Sequence, residues 1–503
     1  MKIVIYQTSD IHGYIYPTDY LSEQSLGLLK IGSYILEDEK NYDASLKIDC
    51  GDMIQGSPLA NYLHMQVLGN VLLDGMEKIG YDAYVIGNHE FNYGKAYLHC
   101  AYQKIEEKIL NANIEGLDLK TKPYQIFNFS GFKVAVIGLT TAFIPNWEQS
   151  KNIEGIRFHN PVEVYAKYEK ELKEQADLIV VAYHGGFECS LDEQMKSTEK
   201  QTKENQGSEM IRRFKSIDVL LSGHQHRGFV TMVDDVVCAQ PHHNGMSFVK
   251  LVIDTVTMAK TVELIEVKHL NLPLNQELEQ CYRIHQENCL NYLAQPIGHI
   301  NQSMLISDVF SARLKGHMFM NFIHQVQLEV SGAQLSVASL FDQAIGFDQS
   351  ISLKDVMLNY PYPNTLKVIR LKGKKIKEAI EKSATYFMLE DGNVSINEVF
   401  VKPKVQNYNY DFFGGLQYWI DLRRSFGNRV VKMLFEGEEM NLDADYEVVL
   451  SNYRLSNTSV YPCYENAECI KEIDMDISTI LVDYLHSHPD VEITEKNNFK
   501  IIY

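Results

Sequence analysis

Short apolar runs recur through the first half of the chain, separated by longer polar stretches. Runs of this length between turn signals are typical of buried strands. They predict strands at Ile3–Tyr6, Leu46–Ile48, Tyr84–Ile86, Val134–Leu139, Leu178–Ala182 and Val219–Leu221. Amphipathic stretches such as Pro161–Gln175 lie between several of them. This alternation predicts a layered α/β domain, although a two-sheet sandwich would give similar runs.

The pattern changes near residue 270. Leu274–Leu293 combines Gln, Glu and Asn with spaced apolar residues, which predicts one exposed helix ended by Pro296 and Gly298. We interpret this helix as a linker between domains. The predicted organisation is then a first domain at 1–270, a helical linker at 271–296 and a second domain at 297–503.

The second domain also has a mixed α/β pattern. Leu366–Leu371 predicts a strand and Gly373 a turn. The spacing that follows predicts a helix. One face of this helix would be formed by Ile376, Ala379, Ile380, Ser383, Ala384 and Phe387.

Polar side chains follow five of the predicted N-terminal strands at the points where these strands end. In open α/β sheets the ligand crevice lies at the carboxyl ends of the strands, so these side chains are expected to surround one point. They are Asp10, His12, Asp52, Asn88, His184, His224 and His226. Carboxylate, imidazole and amide oxygen ligands suit Mn, Zn, Fe, Co or similar ions.

Seven ligands are too many for one tetrahedral ion and about right for two divalent ions that share a carboxylate. Such ion pairs clamp the attacking and leaving oxygens of a phosphoryl displacement. We assign Asp52 as the shared ligand because a carboxylate has two oxygens. Seven further histidines are interpreted as structural, namely His64, His99, His159, His242, His243, His285 and His299.

The amino-acid composition of the chain argues against several classes of function. Lys and Arg number 47 against 66 Asp and Glu, and the net charge of −19 disfavours binding to a nucleic acid polymer. No apolar run is long enough to span a membrane. The first residues lack the features of a signal peptide and the eight cysteines form no C-x-x-C pair, so we expect a cytoplasmic protein with reduced thiols. Cys50 could be nucleophilic, but a small buried residue at a strand end is the simpler interpretation.

The ordered motifs resemble a known family. Asp10-Ile11-His12, Gly51-Asp52, Gly87-Asn88-His89-Glu90, His184-Gly185 and Gly223-His224-Gln225-His226 resemble the calcineurin-type metallophosphoesterases. In the second half, Leu358–Leu366 and Asn407–Asp411 resemble the C-terminal domain of the 5′-nucleotidase superfamily. Within it, the chain looks most like the 2′,3′-cyclic-nucleotide 2′-phosphodiesterase/3′-nucleotidase branch.

The resemblance implies a fold and a set of roles. A four-layer αββα catalytic domain would be joined by a linker helix to an α/β substrate domain. Asp10, His12, Asp52 and His226 would bind one metal, and Asp52, Asn88, His184 and His224 the other. His89 would be the catalytic histidine beside the phosphate, with Asn88 as a second donor. Tyr362 and Tyr453 would sandwich the base and Asn364 would contact it, although either tyrosine could instead be a half-buried structural residue.

Three departures from the family pattern bear on specificity. Many 5′-nucleotidases carry Gly-Asn-His-Glu-Phe-Asp, whereas this chain has Asn92 in the last position, as the cyclic phosphodiesterase branch does. Asn92 can still orient His89 through its amide oxygen, but without a charge. The stretch Gln334–Phe341, which matches an arginine-bearing segment of the 5′-nucleotidases, has no arginine. The Gly-rich stretch common after the second aromatic is also missing from Asn452–Ser459.

We therefore expect a metal-dependent hydrolase of small nucleotides in which water held by the metals attacks phosphorus in line. The favoured activity is that of a 2′,3′-cyclic-nucleotide 2′-phosphodiesterase/3′-nucleotidase. The alternatives are a cytosolic 5′-nucleotidase, a hydrolase of nucleotide-sugar pyrophosphates, a metal-binding protein that has lost hydrolysis, and a polymer-directed phosphoesterase. The preferred base and the oligomeric state are left open.

Overall fold

A computed structural model describes residues 1–20, 22–192, 194–199, 201–362, 364–402, 404–473, 475–488, 490–493 and 498–503. The chain divides into two compact units, Met1–Cys289 and Leu290–Tyr503. Each unit mixes helices with strands. The predicted α/β fold class with two domains is confirmed.

The first unit contains most of the strands that the sequence predicts. Its described strands are β1 (Lys2–Thr8), β2 (Ala44–Asp49), β3 (Ala83–Tyr84), β4 (Ile114–Glu115), β5 (Tyr124–Phe129), β6 (Phe132–Thr140), β7 (Arg157–Phe158), β8 (Leu178–His184), β9 (Val219–Ser222), β10 (Phe229–Val233), β11 (Val236–Gln240), β12 (Ser247–Asp254) and β13 (Lys260–Glu266). Its described helices are α1 (Leu28–Asp38), α2 (Pro58–Met65), α3 (Val71–Ile79), α4 (Gly94–Tyr102), α5 (Pro161–Gln175), α6 (Gly207–Arg213) and α7 (Gln276–Leu293), and α7 carries the chain across the boundary between the units.

Two sheets face each other in this unit. Their strand orders are β13-β12-β1-β2-β3 and β10-β11-β9-β8-β6-β5. Leu46 and Ile48 of the first sheet pack against Val134 and Val180 of the second. The alternate residues of β6 face the other way, toward α5 and α6. On the outer face of the first sheet, the Tyr6 hydroxyl donates to Asp38 at the end of α1 (2.6 Å), which completes four αββα layers.

Parallel pairing aligns the strand ends that the sequence marks as functional. Thr8 of β1 pairs with Asp49 of β2, and Thr140 of β6 with His184 of β8. Strand β8 also pairs in parallel with β9. The segments that follow β1, β2 and β9, and the last residue of β8, therefore lie along one edge of the facing sheets.

The strands predicted from the sequence differ from those of the structure in two respects. The predicted strand Tyr84–Ile86 is reduced to Ala83–Tyr84, because Val85 and Ile86 already lead into the loop of the site. Strands β4, β5, β7, β10, β11, β12 and β13 were not predicted. Of these, β5 and β10 are half-exposed and lack the continuous apolar runs that mark a buried strand.

Helix α7 coincides closely with the predicted linker helix but is not exposed all round. Leu278 and Tyr282 are buried. The Tyr282 hydroxyl donates to the carbonyl of Leu72 (2.9 Å) and accepts from the amide of Gly75 (2.9 Å), both in the first unit. The polar composition of the helix conceals this stripe because only every third or fourth residue belongs to it.

The second unit has several smaller sheets. Its described strands are β14 (Pro296–Ile300), β15 (Leu335–Ser339), β16 (Ser350–Ser352), β17 (Leu366–Lys372), β18 (Phe387–Glu390), β19 (Asn393–Ile396), β20 (Asp411–Gly414), β21 (Gln417–Asp421), β22 (Val430–Phe435), β23 (Glu438–Glu439), β24 (Asp445–Ser451), β25 (Glu468–Ile473), β26 (Asp490–Val491) and β27 (Phe499–Ile502). Its described helices are α8 (Val309–Lys315), α9 (Met318–Ser331), α10 (Leu353–Asn359), α11 (Gly373–Ala384), α12 (Asn452–Ser456) and α13 (Ile477–Ser487). The central sheet has the order β20-β15-β24-β17-β25.

Two local predictions in this unit are wrong. Gly373 is the first residue of α11 and not a separate turn, since β17 leads directly into the helix. Phe387 lies in β18 and not on the helical face, because α11 ends at Ala384. Among the described residues, no helix combines the length and the apolar character that crossing a membrane requires.

Candidate active site

The backbone of the site is unusual. Asp10, His12, Asp52, His224 and His226 all have positive φ angles, between 52° and 71°. Residues other than glycine seldom adopt this left-handed conformation, and where they do it often marks a functional site. The conformation turns each side chain sharply away from the line of its strand.

The first group of potential ligands is Asp10, His12 and His226, whose donor atoms all lie within 4.8 Å of one another. Nε2 of His226 lies 3.2 Å from Oδ1 of Asp10 and 3.3 Å from Nε2 of His12. Nδ1 of His12 is 2.9 Å from the carbonyl of Gln55 and donates to it, which leaves the Nε2 lone pair facing the group. Asp10 also accepts from the amide of His224 (3.0 Å).

The second group is Asp52, His184 and His224, again within 4.8 Å. Asn88 joins it, because its Oδ1 lies 3.0 Å from Nε2 of His184 and 2.7 Å from Nδ1 of His224. Nδ1 of His184 donates to the carbonyl of Cys50 (2.6 Å), so its Nε2 lone pair is directed at the same point. The structure thus brings together, in two groups, all seven residues that the sequence singles out.

The charges of the site favour a cation. Burial alone would raise the pKa of Asp52, but His184, His89 and His12 hold it well below its usual range. The pKa of Asp10 is likewise low, because His226 and His184 outweigh its burial. Burial lowers the pKa of His12 to about 4, which keeps its ring neutral and able to act as a ligand. Two buried carboxylates and neutral imidazole nitrogens fit a pair of divalent metal ions.

His184 shows how strongly this site attracts positive charge. Its burial acts to lower its pKa, yet Asp52, Asp10 and Glu90 raise it to about 10. Carboxylates that raise the pKa of a fully buried imidazole provide the electrostatic environment of a cation site.

Glycines allow the close packing around these ligands. A Cβ atom at Gly87 would lie 2.3 Å from Oδ1 of Asp52, and one at Gly223 would lie 2.1 Å from Oγ of Ser9. Either contact is too short for a larger residue, so both positions need glycine.

His89 lies beside the second group. Its backbone amide donates to Oδ1 of Asp52 (2.8 Å), and its ring lies edge-on to that of His12, with centroids 5.2 Å apart. Nδ1 of His89 is 2.6 Å from Oδ1 of Asn92. The amide oxygen of Asn92 therefore orients the imidazole, as predicted from the sequence.

Three neighbours of the ligands were not predicted. Oε1 of Glu204 lies 2.9 Å from Nε2 of His224. The ring of His224 also stacks on Trp147, with centroids 5.4 Å apart. His243, interpreted from the sequence as structural, stacks on His226 with centroids 4.6 Å apart. These three residues lie in loops without a periodic pattern, so the sequence contains no signal for them.

Cys50 is a buried structural residue. It has no exposed surface, and its thiol contacts the carbonyl of Leu221 (3.8 Å). Burial, reinforced by Asp49, raises the pKa of the thiol, which opposes a nucleophilic role.

A pocket in the second unit contains two of the three predicted substrate residues. Asn364 and Tyr453 line it, together with Phe341 and Tyr408. Tyr362 is 44% exposed, and its ring centroid lies 5.5 Å from that of Phe341. Tyr453 is also partly exposed, and its ring lies 6.3 Å from that of Tyr408. Phe341 and Tyr408 are aromatic residues of the pocket that were not predicted from the sequence.

The floor of this pocket is a buried ion pair. Arg454 is 3% exposed and lies 2.8 Å from Asp411. The guanidinium also donates to the side chains of Asn409 (3.0 Å) and Ser339 (3.1 Å) and to the carbonyl of Tyr408 (2.7 Å). Because so many of its donors are used, Arg454 holds the pocket wall together.

Two family profiles match the chain. The calcineurin-like phosphoesterase family matches residues 3–228, and the 5′-nucleotidase C-terminal domain matches residues 296–466. The first match contains all seven potential metal ligands, and the second contains Tyr362, Asn364 and Tyr453.

Similar proteins agree with these matches. A Staphylococcus aureus protein assigned as a 5′-nucleotidase, solved in complex with α-ketoglutarate, is 36% identical, with a TM-score of 0.90 over 100% of both chains. The trifunctional nucleotide phosphoesterase protein YfkN of Bacillus subtilis is 23% identical over 100% of this chain, which spans only 39% of YfkN.

A 2′,3′-cyclic-nucleotide 2′-phosphodiesterase/3′-nucleotidase of Haemophilus influenzae is 23% identical, over 97% of this chain and 85% of that protein. The extent of these matches and the identity to the S. aureus protein establish the family. The chain belongs to the calcineurin-like phosphoesterases that carry a 5′-nucleotidase C-terminal domain, a family of hydrolases of phosphoester bonds.

Proposed function

We propose that this protein hydrolyses the phosphoester bonds of small nucleotides at a dinuclear metal site, and that 2′,3′-cyclic nucleotides and 3′-nucleotides are its main substrates. The observation that carries the proposal is the pair of ligand groups, each with donor atoms within 4.8 Å. Hydrolysis of the cyclic phosphate would give a 3′-nucleotide, and a second turnover would release the nucleoside.

Asp10, His12, Asp52 and His226 would hold one ion, and Asp52, Asn88, His184 and His224 the other. Asp52 suits the shared position because residues of both groups, His184 and His12, stabilise its negative charge. Bound divalent ions neutralise phosphate charge and lower the pKa of water toward ~7. Mn, Zn, Fe and Co all accept this set of donors.

The protein's own groups complete the site. Oδ1 of Asn88 faces the two histidines of the second group, so its Nδ2 is the donor left for a phosphate oxygen. Asn92 occupies Nδ1 of His89, which leaves Nε2 for the phosphate or the leaving oxygen. Nδ2 of Asn88, and Nε2 of His89 once it has taken up a proton, would stabilise charge that develops in the transition state.

The second unit would recognise the nucleoside. Tyr453 and Tyr362 present partly exposed rings at the pocket that Asn364 lines. Stacking on aromatic rings contributes about 1–3 kcal/mol per base and tolerates different bases. The net charge of −19 favours a small substrate over a nucleic acid polymer.

The choice of the cyclic phosphodiesterase branch rests on Asn92 beside His89 and on the absence of arginine from Gln334–Phe341. The relative from H. influenzae supports it. A 5′-nucleotidase activity is the second candidate, because the S. aureus protein assigned to that activity is 36% identical over the whole chain. A cytoplasmic location remains a prediction.

The test compares the release of phosphate and nucleoside from 2′,3′-cyclic AMP, 3′-AMP and 5′-AMP, in Mn²⁺ and in EDTA. Metal-dependent turnover of the first two substrates is the expected result. Turnover of 5′-AMP alone would keep the metal site and refute the choice of branch. No turnover of any of the three, in protein that contains metal, would refute nucleotide hydrolysis.

A further inference from the structure

Glu148 belongs to none of the sequence motifs. It nevertheless contacts the side chain of Asn92, the residue that in turn contacts His89. It is half-buried and follows the short turn at Ile144–Asn146 beyond β6. Its Oε2 accepts from Nδ2 of Asn92 (2.7 Å). Its Oε1 accepts from the amide of Gln149 (2.8 Å) and from Nδ2 of Asn152 (2.8 Å).

This carboxylate determines which way the amide of Asn92 points. An ionised carboxylate can only accept hydrogen bonds, so the group of Asn92 that faces it must be the NH₂ group. The reverse orientation would place two oxygens in contact at the 2.7 Å that separate Asn92 and Glu148. Asn152 ties the two residues together, because its Nδ2 donates one hydrogen to Glu148 and the other to the backbone carbonyl of Asn92 (2.9 Å).

The orientation of Asn92 in turn determines the tautomer of His89. With its Nδ2 facing Glu148, Asn92 presents its oxygen to Nδ1 of His89 at 2.6 Å. Because that oxygen can only accept, Nδ1 must carry the proton. The neutral ring then has its lone pair on Nε2, so that nitrogen can take up a proton and deliver it to a phosphate or leaving oxygen while Nδ1–H stays bound to Asn92.

We propose that Glu148 is a positioning residue which, through Asn92, keeps the proton of His89 on Nδ1 and the ring in one orientation. The importance of this for catalysis rests on the proposed function, in which His89 contacts the phosphate. An aspartate at position 92 would place a negative charge directly against Nδ1 of His89. In this protein the negative charge on that side of the ring is on Glu148, which contacts Asn92 and not His89 itself.

The isosteric change Glu148→Gln provides a sharp test. The Oε1 side of this group faces two donors, Gln149 and Asn152, so the oxygen of the introduced amide is expected on that side. Its NH₂ group would then face Asn92 and turn that amide over. Nδ2 of Asn92 would donate to Nδ1 of His89, and the proton would move to Nε2.

A second substitution should reverse this effect. In the double variant Asn92→Asp/Glu148→Gln, the introduced NH₂ group donates to the introduced carboxylate, which again accepts from Nδ1 of His89. Asn92→Asp alone places two carboxylates where 2.7 Å now separates the side chains. The double variant is therefore expected to be more active than Asn92→Asp, although it carries more changes.

The tautomer is read from ¹⁵N NMR spectra of the zinc-loaded protein with ¹⁵N-labelled histidine, at an alkaline pH where free imidazole is neutral. The His89→Gln variant assigns the signals of His89. We expect the Nδ1–H form in the wild type and in the double variant, and the Nε2–H form in Glu148→Gln. Glu154→Gln is the matched control, because it removes the same charge from an exposed residue of the same segment.

Kinetics complete the test. With 2′,3′-cyclic AMP, Glu148→Gln should lower kcat roughly a hundredfold with little change in KM, as expected when a general acid–base group is misaligned. The double variant should recover most of this loss. A Glu148→Gln protein that keeps both the Nδ1–H form and its kcat would overturn the proposal, as would a double variant no more active than Asn92→Asp. If the tautomer changes as expected but the wild type hydrolyses no nucleotide, the positioning role stands and the proposed function fails.

Discussion

The glycine before the Asn88-His89 pair offers a direct test of how the site is built. Gly87 follows the short strand β3, and its Cα lies against the carboxylate of Asp52. We consider the single change Gly87→Ala, which adds one methyl group and no charge.

The geometry gives the size of the effect. The added Cβ would lie 2.3 Å from Oδ1 of Asp52, 2.6 Å from its backbone nitrogen and 2.8 Å from Oε2 of Glu90. Cβ contacts below 3.0 Å are essentially never observed, so the Asp52 oxygen must move by at least 0.7 Å. Glu90 cannot make room easily, because its carboxylate accepts from the amides of Asp52 (2.9 Å) and Met53 (2.7 Å). The shared metal ligand therefore shifts.

A misplacement of about 1 Å at a reacting centre can lower the rate roughly a hundredfold. Gly87→Ala should therefore lower kcat for 2′,3′-cyclic AMP by about that factor and reduce the metal content below two ions per chain. Metal content is measured by inductively coupled plasma mass spectrometry, and kcat by nucleoside release in a coupled assay.

Gly131→Ala is the matched control. It also replaces a glycine by alanine, at a position with φ of +100° and no atom within 4 Å of the added Cβ. It should reduce stability by about 1 kcal/mol through backbone strain and leave the metal content unchanged. Gly87→Ala protein with two ions per chain and wild-type kcat would refute the assignment of Asp52 as a ligand held by this packing.

Three further predictions concern other parts of the molecule. Glu204→Ala should weaken binding of one metal about 10- to 100-fold, because His224 would lose the carboxylate that orients its ring. Isothermal titration calorimetry measures this affinity, and an unchanged value would contradict the prediction. Tyr453→Ala should raise KM for nucleotides about 5- to 150-fold through loss of 1–3 kcal/mol of stacking, whereas Tyr453→Phe should not. Arg454→Met should lower the free energy of unfolding by about 3–5 kcal/mol in urea titrations, since Asp411 would stay buried without its ion-pair partner, and Arg454→Met/Asp411→Leu should recover part of the loss.

The sequence predicts several local elements of this protein closely. Helix α5 has the bounds read from its amphipathic pattern, and α7 begins two residues later than predicted and ends at the same residue. The strand ends that carry Asp10 and Asp52 meet because parallel pairing aligns β1 with β2, and His184 at the end of β8 reaches Asp52 (3.2 Å) from the facing sheet. These features follow from short-range signals, namely hydrophobic period, turn residues and the position of polar residues after buried runs.

Side chains that reach the site from loops could not be predicted from the sequence. Glu148 and Glu204 contact Asn92 and His224, which lie 56 and 20 residues away in the chain. Neither glutamate belongs to a periodic element or a motif, so nothing local distinguishes it from other acidic residues. Their roles depend on loop paths that only the packed structure defines.

The sequence by itself therefore determined the α/β class, the buried strands that lead into the site and the candidate ligands. The tertiary structure decided the left-handed backbone of five ligands, the buried stripe of α7 and the Arg454–Asp411 floor of the second pocket. The physical reason is the distance along the chain over which each kind of interaction acts. Propensity and period act over a few residues, whereas ligand geometry and buried ion pairs arise only when distant segments exclude water from one another.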